Sequence, residues 1–350
     1  MTGVSAAIYG LSGTTLSAGE RAFFREARPW GFILFKRNVK DSKQLTVLAR
    51  ELREAIGRDA PILIDQEGGR VQRMGPPHWR KYPPAQAYLE AVGGNVEAAA
   101  RLVELGHRLM AADLKAVGVN VDCAPVLDTP VDGAHDIIGD RAFAREPGAV
   151  ARLGKAAAQG LMAGGVLPVI KHIPGHGRAM SDSHHELPEV KLDLVSLDAW
   201  DFAPFKALND LPAAMTAHVV FKAADAERPA TTSHDTLEII RERLGFDGLL
   251  MTDDLSMKAL KGPMQERARR ALTAGCDVVL HCNGDLHEMR AVAEGAADLS
   301  GRSAERAAAA LACATAEPEP FDAAAAAAEL AAVLKGRFEA RAGPAVGEAP

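Results

Sequence analysis

The sequence predicts an α/β fold: a (β/α)8 TIM-type barrel, single domain, with extra C-terminal helices. Three observations predict it. Eight short, β-prone apolar runs recur along the chain: Ala6–Tyr9, Gly31–Phe35, Ile62–Asp65, Val119–Cys123, Val166–Ile170, Ala213–Thr216, Leu249–Thr252 and Val278–Leu280. They lack the polar–apolar alternation of half-exposed strands, as strands buried on both faces should. Longer helical patterns separate them, and polar residues gather directly behind several runs, which is where such a barrel carries its active site. A doubly wound open sheet is the alternative. No G-x-G-x-x-G turn follows the first runs, which weighs against its dinucleotide-binding form.

The intervening helices carry start signals. Ser17, with Glu20 three positions on, reads as a capping box. Asp41 can cap a helix through Ile56, Asn95 precedes a long helix through Val117, and Ser233 one through Leu244. Residues 1–300 are therefore assigned to the barrel. The alanine-rich stretch 301–339 is assigned to two or three peripheral helices packed on it, because leucines recur there at helical spacing (Leu330, Leu334). Residues 340–350 show no periodicity and read as a disordered tail.

With 46 acidic and 40 basic residues the formal net charge is -6. That balance offers no basic face to nucleic acid and suits a small or neutral substrate. Aromatic residues make up 5% of the chain, which argues against a long polysaccharide-stacking platform. Cys123, Cys276, Cys282 and Cys313 include no C-x-x-C pair, and the N-terminus lacks a basic segment followed by an apolar one. Neither a disulfide framework, a zinc ribbon nor a signal peptide is expected. No apolar run reaches about 18 residues, so no membrane span is expected. The expectation is a cytoplasmic monomer acting on a small-molecule substrate.

The strand ends hold the chemistry. The third run leads into IDQEGGRVQR, giving Asp65 and Arg73. The fourth leads into APVLDTP and then Arg141. The fifth gives Lys171, His172 and His176, the sixth His218, and the seventh Asp253 and Asp254. Each has a plainer reading. The glycines of Glu67-Gly68-Gly69-Arg70 can simply make a tight turn, and an Asp at a strand end can simply cap the next helix. Taken together, Asp65, Asp253 and Lys171-His172 are poorly explained that way.

The segment KHIPGHG (171–177) puts charge, imidazoles and glycines directly after a buried strand, which is costly in a core. Downstream, Asp182 stands two residues before His184. At that spacing the carboxylate can accept from imidazole Nδ1–H, fix the tautomer and strengthen the base. Metal ligation by His172, His176, His184 and His185 is the rival reading. However, there is no H-E-x-x-H, and Pro174 breaks the helix that would align the first two. Neither a metal nor a cofactor is expected. Substrate-assisted hexosaminidase chemistry usually needs an adjacent Asp-Glu pair or a D-x-x-D-x-D-x-E run, and neither occurs. A nucleophilic carboxylate on the seventh strand is the better mechanism.

At these residues the sequence resembles glycoside hydrolase family 3, and within it the bacterial β-N-acetylglucosaminidases of cell-wall recycling. The motifs that carry the resemblance are GFILFKRN (31–38), IDQEGGRVQR (64–73), PPHW (76–79), GDRAF (139–143), KHIPGHG (171–177), DSH (182–184) and TDDLSM (252–257), spanning about two thirds of the chain. The resemblance implies that Asp253 is the nucleophile and that His184, oriented by Asp182, is the acid/base. It implies that Asp65, Arg73, Arg141, Lys171 and His172 hold the terminal sugar. The implied reaction is retaining hydrolysis of terminal β-linked N-acetylglucosamine, with N-acetylglucosaminyl-anhydromuramyl peptide as natural substrate. Ile173 stands where relatives often have Phe, and Ala142 and Ala144 flank Phe143 in place of a Ser and a small residue. Many relatives carry a second α/β domain; none is expected here, so the acid/base would come from the barrel itself. Two other readings stay open: a phosphorylase on the same scaffold, since a His acid/base tolerates an incoming phosphate dianion, and a non-catalytic sugar-binding sensor.

Overall fold

The computed structural model describes residues 3–179, 183 and 186–340. Eight parallel strands form the central sheet: β1 (Ser5–Tyr9), β2 (Pro29–Leu34), β3 (Ile62–Ile64), β4 (Val121–Asp122), β5 (Leu167–Pro168 and Ile170–Ile173), β6 (Ala213–Thr216), β7 (Leu249–Asp254) and β8 (Val278–His281). Each pairs with its neighbours in chain order, and β1 pairs with both β2 and β8. β5 closes the ring because its first half bonds to β4 and its second half to β6. The sheet is a barrel and not an open, doubly wound one.

Although both faces of each strand are apolar, the faces pack against different things. Ala6, Ile8, Leu63, Val121, Cys123, Leu167, Val169, Ala213, Met215, Leu249, Met251, Val278 and Leu280 fill the barrel interior as one cluster. Their neighbours Ala7, Tyr9, Phe32, Leu34, Ile62, Ile64, Leu250 and Val279 pack outward beneath the helices. This period of two continues past the ends of the apolar runs. Leu63 is followed on the same face by Asp65, Val169 by Lys171, Met251 by Asp253 and Leu280 by Cys282. The interior register therefore delivers charged side chains to the C-terminal mouth of the barrel.

The predicted caps form. Ser17 and Glu20 make a reciprocal capping box on the helix Ala18–Ala27. Asp41 caps Ser42–Ile56, Asn95 caps Val96–Lys115, and Ser233 caps His234–Glu238. The last helix continues as a π-helical turn over Ile239–Arg243, closed by Leu244 N–H on the Ile239 carbonyl at 3.0 Å. At the opposite end of the barrel from the charged mouth, helix Gly301–Ala314 seats Ala307, Ala310 and Ala314 in the interior cluster. Small side chains let it approach the strand starts closely. Helix Ala323–Leu334 buries Ala326, Ala327, Leu330 and Leu334 against a cluster that includes Val103 and Met110 of Val96–Lys115. No helix among the described residues is long and apolar enough to cross a membrane.

Candidate active site

The loop after β3 folds back as a small antiparallel hairpin, Gln66–Gly68 against Val71–Gln72. Gly68 and Gly69 turn it at φ 92° and 56°, and a Cβ on Gly68 would lie 2.2 Å from the Pro83 carbonyl oxygen. Glycine is required there on both counts. The turn reading of these glycines is right, and the turn also has a consequence for the site: it brings Glu67 and Arg73 back over Asp65.

These residues meet Lys171 and Arg141 in a buried charged cluster. Lys171 Nζ lies 2.9 Å from Asp65 Oδ1 and 2.7 Å from Glu67 Oε1. Arg73 donates to Asp65 Oδ2 at 3.0 Å, and Arg141 donates two bonds of 2.8 Å to the Glu67 carboxylate. Burial alone would raise the Asp65 carboxyl, but Lys171 and Arg73 outweigh it and hold the group well below the usual carboxylate range. Burial opposes the charge on Lys171 too, and the two carboxylates more than restore it. Two carboxylates and three cations leave a charge of +1, which the neighbouring Asp253 cancels. A pocket that is polar but near neutral suits hydroxyl groups better than a charged ligand.

Glu67 makes the energetics testable. Burial would raise its carboxyl, but Arg141 and Lys171 pull it from 4.5 down to about 2. An acid depressed in the folded state stabilises the fold above its unfolded pKa, and that contribution fades as pH falls from about 4.5 through 2. The difference corresponds to about 3 kcal/mol, of the order expected when one partner of a buried pair is removed. Glu67→Gln is therefore expected to lose about 3 kcal/mol at pH 7, with the gap to the parent protein narrowing toward pH 2. Urea denaturation at pH 7 and pH 3 measures both.

On the second wall, His172 Nδ1 lies 2.7 Å from Asp128 Oδ2. Asp128 is fully buried, and its Oδ1 also accepts the backbone N–H groups of His172 at 3.2 Å and His176 at 2.7 Å. The imidazole faces the cavity with its tautomer set by this carboxylate.

β7 supplies two carboxylates in different states. Asp254 accepts from the backbone N–H groups of Ser256 (3.0 Å) and Cys282 (3.1 Å) and from the Ser256 hydroxyl, so its oxygens are taken up in shaping the loop. Among the described residues Asp253 accepts only the Asp254 N–H, at 2.7 Å. Burial would raise its carboxyl, yet the imidazoles of His218 and His172 and the Asp254 N–H hold it below the ordinary range. It is ionised and under-coordinated, which is the state a nucleophile needs. Buried His218 is pinned between the Thr231 hydroxyl (Nδ1, 2.7 Å) and the Asp254 carbonyl (Nε2, 3.0 Å).

Asp65, Arg73, Arg141, Lys171, His172 and Asp253 line one cavity of about 320 Å³ at the C-terminal mouth, together with Glu67, Asp254 and apolar Phe35, Met215 and Met257. That is the lower end of the size range for small-molecule sites. The predicted Asp182 and His184 lie outside the described residues. Sequence reasoning gave no role to Asp128 and placed Glu67 in a turn. The sequence shows no more than their places, Glu67 two residues past the third run and Asp128 five past the fourth. No group of three or more His, Cys, Asp or Glu among the described residues is arranged to hold a metal ion.

Residues 17–310 match the glycosyl hydrolase family 3 N terminal domain. A β-hexosaminidase of Methylococcus capsulatus is 44% identical over 280 residues, covering 79% of this chain and 82% of that protein. A β-hexosaminidase of Bordetella parapertussis is 40% identical over 277 residues, 78% of each. Among solved structures, NagZ from Neisseria gonorrhoeae in complex with N-trifluoroacetyl-D-glucosamine superposes with a TM-score of 0.81 at 32% identity, covering 94% of both chains. A family 3 β-N-acetylglucosaminidase from Paenibacillus sp. superposes with a TM-score of 0.82 at 30% identity over 91% of this chain, which spans 63% of that protein's length. The strand-end clustering, the barrel and these likenesses agree: the chain belongs to glycosyl hydrolase family 3, as a glycoside hydrolase of its β-hexosaminidase group.

Proposed function

We propose that the protein is a retaining exo-β-N-acetylglucosaminidase that releases terminal β-linked N-acetylglucosamine, with N-acetylglucosaminyl-anhydromuramyl peptides from degraded peptidoglycan as natural substrate. The observation that carries the reading is the cavity itself. It holds about one sugar, its floor is closed by the packed barrel core, and it sets the ionised, under-coordinated Asp253 beside a charged cluster rich in hydroxyl-binding groups. Asp65 accepts one bond on each oxygen and keeps lone pairs for sugar hydroxyls. Lys171 has a third N–H beyond its two carboxylate partners. The N-trifluoroacetyl-D-glucosamine complex of the Neisseria relative supports an amino sugar as ligand.

The chemistry follows in two displacements. An Asp253 oxygen attacks the anomeric carbon while His184 gives its proton to the departing glycosidic oxygen. The product is a glycosyl ester on Asp253 and a free alcohol. Water then attacks the anomeric carbon, His184 takes its proton, and the ester bond breaks to regenerate the carboxylate. Asp182 accepts from the His184 ring and keeps it basic. A second reading is favoured by one observation: Asp128 and His172 already form a buried carboxylate–imidazole pair facing the cavity, so His172 is the competing acid/base.

The test is release from a chromogenic β-N-acetylglucosaminide with the matching β-glucoside as control, each with and without inorganic phosphate. Turnover of the amino sugar, indifferent to phosphate, is expected. Equal turnover of both sugars would contradict the amino-sugar assignment. A phosphate requirement with sugar 1-phosphate as product would replace hydrolysis by phosphorolysis.

A further inference from the structure

Beside the cavity, one buried side chain takes no part in the reaction just described. His176 is 4% exposed, its backbone N–H donates to Asp128, and its ring lies edge-on to His172 at 5.7 Å between centroids. The following residue is pinned as well: a Cβ on Gly177 would lie 2.1 Å from the Thr129 carbonyl oxygen. Burial pushes the His176 imidazole down to about 4, with His172 adding to it, so the ring is neutral near pH 7 and supplies no charge. An apolar side chain would fill that space without the cost of burying a polar ring. What the imidazole adds is one hydrogen bond. Its Nε2 lies 3.1 Å from the hydroxyl of Ser183, itself 3% exposed, while Nδ1 has no partner among the described residues.

Ser183 stands in the chain between Asp182 and His184. We infer that His176 is a positioning residue for the acid/base pair, holding the chain between Asp182 and His184 through Ser183, with Asp128 anchoring His176. This rests on the reading of Asp182 and His184 as that pair. The same buried Asp128 carboxylate orients the His172 ring in the sugar cavity, so the grip on the sugar and the placement of the proton donor share one anchor. Placement matters because a general acid works only within hydrogen-bond reach of the leaving oxygen, and a displacement of about 1 Å can cost roughly 10²-fold.

The experiment measures kcat and KM for Ser183→Ala, His176→Met, His176→Gln and the Ser183→Ala/His176→Met double variant on β-N-acetylglucosaminides of graded leaving-group pKa. His184→Ala is run in parallel, and thermal unfolding is followed for each. Ser183→Ala is expected to lower kcat on a disaccharide by about 10–100-fold, to leave KM within about twofold, and to spare glycosylation by a dinitrophenyl glycoside. His176→Met should match it, His176→Gln should recover part of the loss by restoring a polar group, and the double variant should be no slower than the slower single one. If Ser183→Ala slows all leaving groups equally or not at all, or if the two substitutions multiply, the tether is wrong. If the His176 variants fail to fold, Ser183→Ala decides alone. Leaving-group dependence in His184→Ala but not in Ser183→Ala overturns the tether and leaves the acid/base reading standing. Its absence in His184→Ala overturns both.

Discussion

Asp253→Ala is expected to abolish turnover, by about 10⁴–10⁶-fold, while leaving the protein folded. Loss of a covalent nucleophile in a well-studied hydrolase costs on the order of 10⁶-fold, and the residual rate reflects what binding and the acid/base still supply. The structure separates the two effects. Among the described residues Asp253 accepts one hydrogen bond, from the next residue's N–H, so its removal breaks little of the network. Its charge is favoured in the folded protein by His218, His172 and the Asp254 N–H, so its removal gives up part of that stabilisation. Thermal unfolding of Asp253→Ala should therefore show only a modest loss of stability beside the loss of turnover. Asp254→Ala should behave in the opposite way. That carboxylate binds two backbone N–H groups and a hydroxyl, so its loss should lower stability first and activity through it. Steady-state assays and thermal scans on the two variants distinguish nucleophile from scaffold.

His184→Ala is expected to slow cleavage of a natural disaccharide by about 10²–10⁴-fold, the usual worth of general acid–base assistance. An imidazole of ordinary pKa, near ~6.5, can give and take a proton near neutral pH. Protonation matters only when the leaving group is poor. With a dinitrophenyl glycoside the first displacement should be nearly untouched, the second should limit the rate, and the glycosyl ester should accumulate. Azide needs no base, so it should rescue the second step and give a β-glycosyl azide. Asp182→Asn should be a milder version, because the imidazole stays in place with a weaker base. His172→Ala is the control that decides between the two imidazoles. As a sugar-binding residue it should slow every substrate, whatever the leaving group. Leaving-group dependence at His172 rather than His184 would transfer the acid/base role to the Asp128–His172 pair.

Much of this fold is legible in the sequence. All eight barrel strands lie where the apolar runs place them, since a strand buried on both faces is written as an unbroken apolar run. The capping side chains Ser17, Asp41, Asn95 and Ser233 all accept from helix N-termini as their positions require. The end of β5 is less legible. The apolar run stops at Ile170, yet the strand continues to Ile173, because Lys171 and His172 exchange core contacts for the charged cluster at the mouth.

The roles of Glu67 and Asp128 could not be read from a run at all. Glu67 gains its role through Arg141, 74 positions away, and Asp128 through His172, 44 positions away. No local pattern records such a pairing. Which of Asp253 and Asp254 is free was open for a similar reason. Both end the same strand, and Asp254 is marked out by the bonds it accepts from Ser256 and Cys282. The interior register supplies the missing link, since Asp253 continues the inward row Leu249, Met251 and Asp254 does not.

The most direct test of this mechanism is peptide mapping by mass spectrometry after incubation with a 5-fluoro N-acetylglucosaminyl fluoride, whose slow second displacement lets the ester build up. One added 5-fluoro-N-acetylglucosaminyl unit is expected on the peptide containing Asp253, located to that residue by fragmentation and absent in Asp253→Ala. A label on Asp254, Asp65 or Glu67, or turnover of the parent protein with inversion at the anomeric carbon and no label, would contradict Asp253 as the nucleophile of a retaining hydrolase.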